Sequence, residues 1–340
     1  MGRTYHSATD NRGLDVPMHE MASFSLTQDQ IQAFNRDGVV IVPDVLSEDD
    51  LRPALDDIDE MIDRLATKLV ASGQLSRDYR EQDFEHRLAC ISRETDQVAR
   101  AIWNGAMHSP GIFGILTNPR LLEVARTFCG EEIVASSVYR LRPKIPHYEY
   151  GAVPWHQDAG YTEPFCDKAM ILTVWVPLVD ATEERGCMWA LPGVHHNPTV
   201  LTHVARQGKS YLQILDPDLP AGVQPVCLEV KKGGIVLLHN RTPHVSYENR
   251  SDIVRWSMDL RYQSAALPTN ARFTRLPQEM DPLKNLGLEG DVPVACYPPE
   301  ADFLVASAAR PHEVIRTPQA FARLREAHMP GPTTPRWRTI

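Results

Sequence analysis

The N-terminal part of the chain shows mostly helical spacing of its apolar positions. Thr27 begins a capping-box pattern, which predicts a helix over 27–38. The run at 39–42 is short and β-branched, so it predicts a buried strand. Apolar residues recur at helical spacing over 47–73 and 119–130, and this spacing predicts two more amphipathic helices.

The period changes from about residue 133 onwards. Short β-type runs, separated by Pro and Gly, occur at 133–142, 170–179, 187–191, 226–230, 234–239 and 253–262. Evenly spaced short strands after a helical start predict a mainly β fold with flanking helices, built around a sandwich or barrel. Residues 264–340 contain 11 of the 27 prolines and one possible helix at 319–328. We expect this part to be irregular structure packed on the core.

Composition limits the possible partners and the compartment. The 340 residues carry a net charge of −9, which argues against nucleic-acid binding by phosphate neutralisation. No apolar run approaches the ~18 residues of a membrane span, and residues 1–25 lack a secretory apolar segment. The six cysteines are irregularly spaced and form no C-x-x-C pair. We therefore expect a cytoplasmic monomer or homodimer that acts on a small molecule, without a membrane or nucleic-acid partner.

The densest chemical signal is the triplet His156-Gln157-Asp158. Residues two apart on an extended strand point to the same face, so His156 and Asp158 would present an imidazole and a carboxylate to one point. These are two of the three ligands of a non-haem Fe(II) site, although such a triplet also occurs by chance. The third ligand must be a histidine from another strand, and His244 is favoured over His239.

A second signal follows His244. Ser246 lies on the same face of an extended segment, and Arg255 comes eleven residues after His244 on what we predict to be the returning strand. The neighbours of Arg255 at 253–256 are apolar, and an unpaired arginine in a buried strand is costly. A guanidinium suits a carboxylate bidentately. One hairpin would thus supply a metal ligand, a hydroxyl donor and an anion clamp.

Several residues near the triplet are candidates for contact with a substrate. Arg140 and Arg142 alternate along a strand before the triplet, and either could face the cavity and bind an anionic group; a solvent-facing strand is the alternative. Tyr161 could cover the metal, and Gln157 is a further candidate. The second triplet, His147-Tyr148-Glu149, follows two prolines, which favours a loop over a metal pair.

Several ordered motifs together resemble the phytanoyl-CoA dioxygenase family of Fe(II)/2-oxoglutarate-dependent oxygenases. The resemblance runs from about residue 28 to 262 and includes the motifs at 34–40, 155–158, 175–182, 186–195 and 244–255. That family shares a double-stranded β-helix core, also called a jelly roll, which is cupin-like. The resemblance implies three ligands for Fe(II): His156, Asp158 and His244.

The resemblance also assigns the co-substrate pocket. It implies that Arg255 and Ser246 bind the distal carboxylate of 2-oxoglutarate and that Trp175 lines the pocket. Two positions depart from the family pattern: Val194 replaces the serine of a Pro-Gly-Ser-His motif, and Gly234 stands where aspartate is common. We expect both departures to change only local structure.

The implied reaction couples oxidative decarboxylation of 2-oxoglutarate, to succinate and CO2, with hydroxylation or a related C–H oxidation of a small molecule. Because Asp158 is retained, hydroxylation is favoured over the halogenation seen in relatives with a small residue there. The cofactors would be Fe(II), 2-oxoglutarate and O2, with ascorbate as a stimulant. The expected organisation is a flexible arm at 1–25, a dioxygenase domain at 26–263 and a Pro-rich extension at 264–340.

Two alternatives from other functional classes remain open at this point. One is a catalytically silent jelly-roll protein that binds a metal or a ligand without turnover. The other is a zinc-dependent, cupin-like isomerase or hydrolase, in which Arg255 would be only structural.

Overall fold

The computed structural model describes residues 24–103, 108–136, 140–148, 151–162, 164–206, 211–267, 302–327 and 336–340. The first part of the chain is mainly helical. The helices before the main sheets are α1 (Gln28–Asp37), α2 (Glu48–Ala71), α3 (Phe84–Ser92), α4 (Gln97–Trp103), α5 (Pro110–Leu116) and α6 (Pro119–Cys129). The predicted capping box is present: the Thr27 hydroxyl accepts from the Gln30 N–H, and the Thr27 N–H donates to the Gln30 side chain. The predicted arm at 1–25 falls almost entirely outside the described residues.

Antiparallel strands form the rest of the described core. They are β1 (Val39–Val42), β2 (Ile133–Ala135), β3 (Arg140–Lys144), β4 (Val153–His156), β5 (Ile171–Pro177), β6 (Met188–Ala190), β7 (Val204–Ala205), β8 (Leu212–Gln213), β9 (Val226–Leu228), β10 (Ile235–His239), β11 (His244–Ser246), β12 (Arg255–Ser264) and β13 (Phe303–Ala306). The larger sheet has the order β1-β10-β5-β12-β2-β13, with β3 also paired to β12. A four-stranded sheet has the order β4-β11-β6-β9, and β7 pairs with β8.

Strand β12 shows how the sequence divides the core from the cavity. Its apolar residues, among them Trp256 and Leu260, are buried in the hydrophobic core together with Ile58 of α2. The alternate residues Arg255 and Arg261 line a cavity between the two larger sheets. The period-two alternation of a strand therefore separates a helix-covered face from a polar one. The predicted mainly β fold with flanking helices is confirmed, and the two facing sheets are consistent with a jelly roll.

The predicted hairpin of His244 and Arg255 is wrong. Strand β11 pairs with β4 and β6, whereas β12 pairs with β5, β3 and β2, so the two strands lie in opposite sheets. The buried Asn249 stabilises the crossover, because its amide donates to the carbonyls of Lys144 and Ile253. His244 and Arg255 therefore face each other across the cavity. The apolar run at 133–142 is also two strands, β2 and β3.

The described parts of the predicted extension contact the core. Strand β13 pairs with β2 at the edge of the larger sheet, so the extension contributes a strand as well as irregular structure. A further helix, α7 (Pro318–Ala327), confirms the helix predicted at 319–328, and its Phe321 packs on Phe113 with ring centroids 5.4 Å apart. In the part of the chain that the structure describes, no helix is both long and apolar enough to cross a membrane.

Candidate active site

Three candidate metal ligands meet at one end of the cavity. His156 is the last residue of β4, Asp158 opens a 3-10 turn at Asp158–Tyr161, and His244 begins β11 directly opposite His156. One ligand atom from each residue lies within 4.8 Å of the other two, and all three residues are buried. Asp158 has left the strand, but the extended backbone at Gln157 (φ −110°, ψ 138°) keeps the predicted period-two geometry.

Both imidazoles are oriented by backbone carbonyls. The Nδ1 of His156 lies 2.8 Å from the carbonyl of Pro154, and the Nδ1 of His244 lies 3.0 Å from the carbonyl of Thr242. A neutral imidazole that donates through Nδ1 presents the lone pair of Nε2, as a metal ligand must. Burial, followed by the proximity of His244, lowers the pKa of His156 well below its ordinary value. His156 is therefore suited to bind a metal as a neutral imidazole.

Asp158 is held in its ionised form by two neighbours. Arg261 donates to one carboxylate oxygen at 2.8 Å, and the Thr173 hydroxyl donates to the other at 2.5 Å. Burial, the largest single effect, raises the pKa of Asp158, but the charges of Arg261, His244 and His156 together with the Arg261 hydrogen bond outweigh it, and the pKa lies below its usual range. Sequence reasoning missed Arg261 and Thr173. Arg261 lies six residues after Arg255 on the same strand, and this even spacing was the available signal.

The other end of the cavity is cationic. Arg255 is 3% exposed, and one of its terminal nitrogens donates to the carbonyl of Gly186 and to the Ser246 hydroxyl, both at 3.3 Å. Its guanidinium carbon lies 5.1 Å from the ring centroid of Trp175, while its buried Nε has no hydrogen-bond partner. Burial lowers the pKa of Arg255 to about 10, so the side chain stays charged at neutral pH. The residues predicted for the co-substrate pocket thus lie together.

Lys144 is a second buried cation that sequence reasoning missed. It is 1% exposed, lines the cavity, and donates from Nζ to the Ser246 hydroxyl and to the carbonyl of Tyr247. In the β3–β12 pair it lies directly opposite Arg255. Its position two residues after Arg142 on an alternating strand was the available signal.

The cavity between these two ends has a volume of about 280 Å³ and includes Arg140, Arg142 and Tyr161 in its wall. The Nε of Arg142 donates to Asp259 at 3.0 Å, and its guanidinium carbon lies 4.8 Å from the centroid of the Trp103 ring. The ring of Tyr161 meets that of His156 edge-on, with centroids 5.6 Å apart. Three of the four predicted substrate residues therefore face the cavity.

Gln157 is the exception, and its prediction as a substrate contact requires correction. Its amide donates to the carbonyl of Arg241 at 2.6 Å and accepts from the N–H of Leu201 at 2.7 Å. A residue between two that share one face of an extended segment must point to the opposite face. Gln157 therefore stabilises the segment from the face that points away from the cavity. His239, the rival metal ligand, accepts at Nδ1 from the Arg241 N–H and is not part of the His-Asp-His group.

A His-Asp-His group inside a mainly β fold defines a candidate site of the non-haem metal oxygenase class. The family model of phytanoyl-CoA dioxygenase (PhyH) matches residues 34–257. The chain therefore belongs to the phytanoyl-CoA dioxygenase family.

Individual relatives are more distant. A mouse phytanoyl-CoA dioxygenase domain-containing protein 1 is 32% identical over 167 residues, which cover 47% of this chain and 55% of the relative. This chain thus spans about half the length of that relative. An Arabidopsis thaliana phytanoyl-CoA dioxygenase is 24% identical over 286 residues, covering 72% of this chain and 96% of the relative. Among solved structures, the apo form of the non-heme monooxygenase ThoJ has a TM-score of 0.52 at 19% identity, over 86% of this chain and 92% of its own. That likeness supports the fold alone.

Proposed function

We propose that the protein is an Fe(II)- and 2-oxoglutarate-dependent dioxygenase that hydroxylates a small molecule while it converts 2-oxoglutarate to succinate and CO2. One observation carries the proposal: the buried His-Asp-His group and the buried Arg255 lie in one cavity. A zinc hydrolase would also use three protein ligands, but its reaction does not require a second, carboxylate-bearing co-substrate beside the metal. Membership of the phytanoyl-CoA dioxygenase family supports the oxygenase class.

The residues fit Fe(II). Two imidazoles and one carboxylate are the donor set of the non-haem iron oxygenases, and they leave positions open for other ligands. His156 and His244 would bind through Nε2, because their Nδ1 atoms are taken by backbone carbonyls. Asp158 would bind as a carboxylate that Arg261 holds in place. Fe(II), when bound, supplies the oxidative chemistry with O2 and 2-oxoglutarate, while the protein orients the reactants.

The cationic end fits the distal carboxylate of 2-oxoglutarate. Arg255 would donate to that carboxylate, and the Ser246 hydroxyl would turn towards it from its present acceptor, the Gly186 carbonyl at 3.1 Å. Trp175 fixes the guanidinium through a cation–π contact. A charge-assisted hydrogen bond in a buried pocket is the strong kind, so this end would supply much of the binding energy for the co-substrate.

The substrate would enter past Arg140, Arg142 and Tyr161. Arg142 is held by Asp259 and Trp103, so it forms a rigid part of the wall. Arg140 lies two residues away on the same face of β3, where it would bind an anionic group of the substrate. Tyr161 would pack against the substrate beside His156.

Succinate formation tests the proposal. Purified protein with Fe(II), ascorbate, O2 and 2-oxoglutarate should form succinate in the presence of a substrate from a metabolite library. His156→Ala should abolish it, because one of three metal ligands is lost. The matched control His312→Ala changes a histidine with a 78% exposed side chain and should leave the rate unchanged. Turnover that requires Zn(II) and no 2-oxoglutarate, or no metal-dependent 2-oxoglutarate consumption with any compound, would overturn the proposal.

A further inference from the structure

We propose that Lys144 is a second cation for the distal carboxylate of 2-oxoglutarate, so that this carboxylate is bound by a lysine–arginine pair that share Ser246. The inference rests on the proposed function and adds a binding residue to it. It starts from the Ser246 hydroxyl, which accepts from both the Lys144 ammonium and the Arg255 guanidinium.

The backbone brings the two cations together. Lys144 and Arg255 are direct partners in the antiparallel β3–β12 pair, so their side chains leave the sheet on the same face. The Lys144 chain then crosses Gly186, where a Cβ would lie 2.9 Å from the lysine Cδ and 2.6 Å from the Tyr247 carbonyl. The missing side chain at Gly186 therefore provides the space through which Lys144 reaches Ser246.

Neither cation has an acidic partner among the ion pairs of the described residues. The charged and titratable groups around Lys144 are Arg255, Arg142, Glu248 and Cys187. Glu248 is exposed, and burial raises the pKa of the Cys187 thiol to about 12, so the thiol is neutral. The acid that acts on Arg255 is Asp259, which is itself ion-paired with Arg142. Burial of the two cations is therefore costly, because neither has a carboxylate of its own. A bound carboxylate is the group that would remove this cost.

The contacts of Lys144 differ from those of a purely structural lysine. A buried cation with a purely structural role would form an ion pair with an acidic side chain. Arg87 is an example, because it pairs with Asp59 and Asp63 of α2. Lys144 instead lines the cavity and donates to a hydroxyl and a carbonyl, both of which are weaker acceptors than a carboxylate. Its third ammonium donor remains for a ligand.

A pair of 2-oxo acids isolates the role of Lys144. Lys144→Met removes the charge and keeps an unbranched apolar chain. We expect it to raise the KM for 2-oxoglutarate about 10- to 100-fold, the usual range for a hydrogen bond to a charged group. The same variant should keep the wild-type KM for 2-oxopentanoate, which lacks the distal carboxylate. That unchanged value also shows that the variant is folded. Lys68→Met, at an exposed position on α2, is the matched control and should leave both constants unchanged.

Proton uptake provides a second measurement on the unaltered protein. Burial, followed by repulsion from Arg255, lowers the pKa of Lys144 well below its ordinary value in the free protein. A bound carboxylate would raise this pKa again, so the affinity for 2-oxoglutarate should fall as the pH rises through the range in which Lys144 loses its proton. Within that range, binding of 2-oxoglutarate should take up a proton. Titration calorimetry of the Fe(II) protein without O2, in buffers of different ionisation enthalpy, should detect this uptake with 2-oxoglutarate and not with 2-oxopentanoate.

The outcomes separate the two proposals. If wild-type protein converts neither 2-oxo acid, the proposed function fails, and this inference fails with it. If the wild type converts 2-oxoglutarate but Lys144→Met changes the KM of both acids equally, or of neither, only the role of Lys144 is overturned. A measurable proton uptake of equal size with both acids would overturn it as well.

Discussion

The two ends of the cavity handle charge in opposite ways. At the metal end, the Asp158 carboxylate is matched by Arg261 and Thr173, and both imidazoles are held by carbonyls. At the cationic end, Lys144 and Arg255 have no acidic partner in the described ranges. The metal end is thus organised before any ligand arrives, whereas at the cationic end neither Lys144 nor Arg255 is ion-paired with a carboxylate, so an anionic ligand would supply the missing partner.

This difference predicts opposite effects of charge removal on the stability of the ligand-free protein. Removing a charge from a matched buried pair leaves its partner uncompensated, which is strongly destabilising. Removing a charge that has no partner avoids a desolvation cost and can be neutral or stabilising. The first two experiments that follow test this contrast, and the third tests what holds the metal end in place; they are given in decreasing order of expected effect.

The largest effect is expected for Asp158→Asn. The variant loses a metal ligand and removes the carboxylate that is ion-paired with Arg261, so we expect no detectable succinate formation and a loss of about 3 kcal/mol in the free energy of unfolding. Denaturant unfolding of the metal-free protein measures the second quantity. Asp252→Asn, whose side chain is 80% exposed, is the control and should unfold like the wild type. Wild-type stability in Asp158→Asn would show that the Arg261 pair does not organise the metal end.

A smaller effect on stability is expected at the cationic end. Arg255→Met should raise the KM for 2-oxoglutarate about 100-fold, since it removes the main donor to the distal carboxylate. The free energy of unfolding of the ligand-free protein should nevertheless stay within about 1 kcal/mol of the wild type, because the change removes a buried charge that has no ion-pair partner and leaves no carboxylate newly unpaired. Arg250→Met, at a side chain that is 65% exposed, is the control for both measurements. A loss as large as that of Asp158→Asn would remove the contrast between the two ends.

The smallest effect is expected from residues that hold the metal end from outside. Arg336 donates to the carbonyls of Ala159 and Thr162, at 3.1 Å each, and forms an ion pair with Asp167. Trp337 adds a hydrogen bond from its indole to the carbonyl of Gly160 at 2.7 Å. These contacts fix the turn that Asp158 opens.

Arg336→Ala should therefore weaken Fe(II) binding by about threefold to tenfold, at or below the usual range for partners that orient a metal ligand. A competition titration against a metal-binding dye measures this affinity. The exposed Arg338 is two residues away, and Arg338→Ala is the matched control. If both variants bind Fe(II) equally well, the contacts of Arg336 do not position Asp158.

The sequence predicted those parts of the site that local geometry controls. His156 and Asp158 could be paired because an extended backbone repeats every two residues, and this repeat survives although Asp158 opens a turn. The same repeat places Gln157 on the opposite side, so that its prediction as a substrate contact could have been avoided. The starts of helices could also be predicted from the sequence, because the capping residues lie next to the helices that they begin.

The remaining parts depend on pairs that are far apart in the chain. Arg261 lies 103 residues from Asp158, and Lys144 lies 102 residues from Ser246. No local pattern links such residues, and the predicted hairpin of His244 and Arg255 was wrong for the same reason. Strand pairing across two sheets determines these contacts.

By itself, the sequence determined the helices at 27–38, 47–73 and 119–130, most of the strands from residue 133 onwards, and three candidate metal ligands that a family resemblance supported. Only the tertiary structure decided which charges meet. It paired Asp158 with Arg261 and placed Lys144 opposite Arg255 without an acid beside them. The physical reason is that side-chain periodicity is a property of a single strand, whereas charge balance depends on which strands become neighbours.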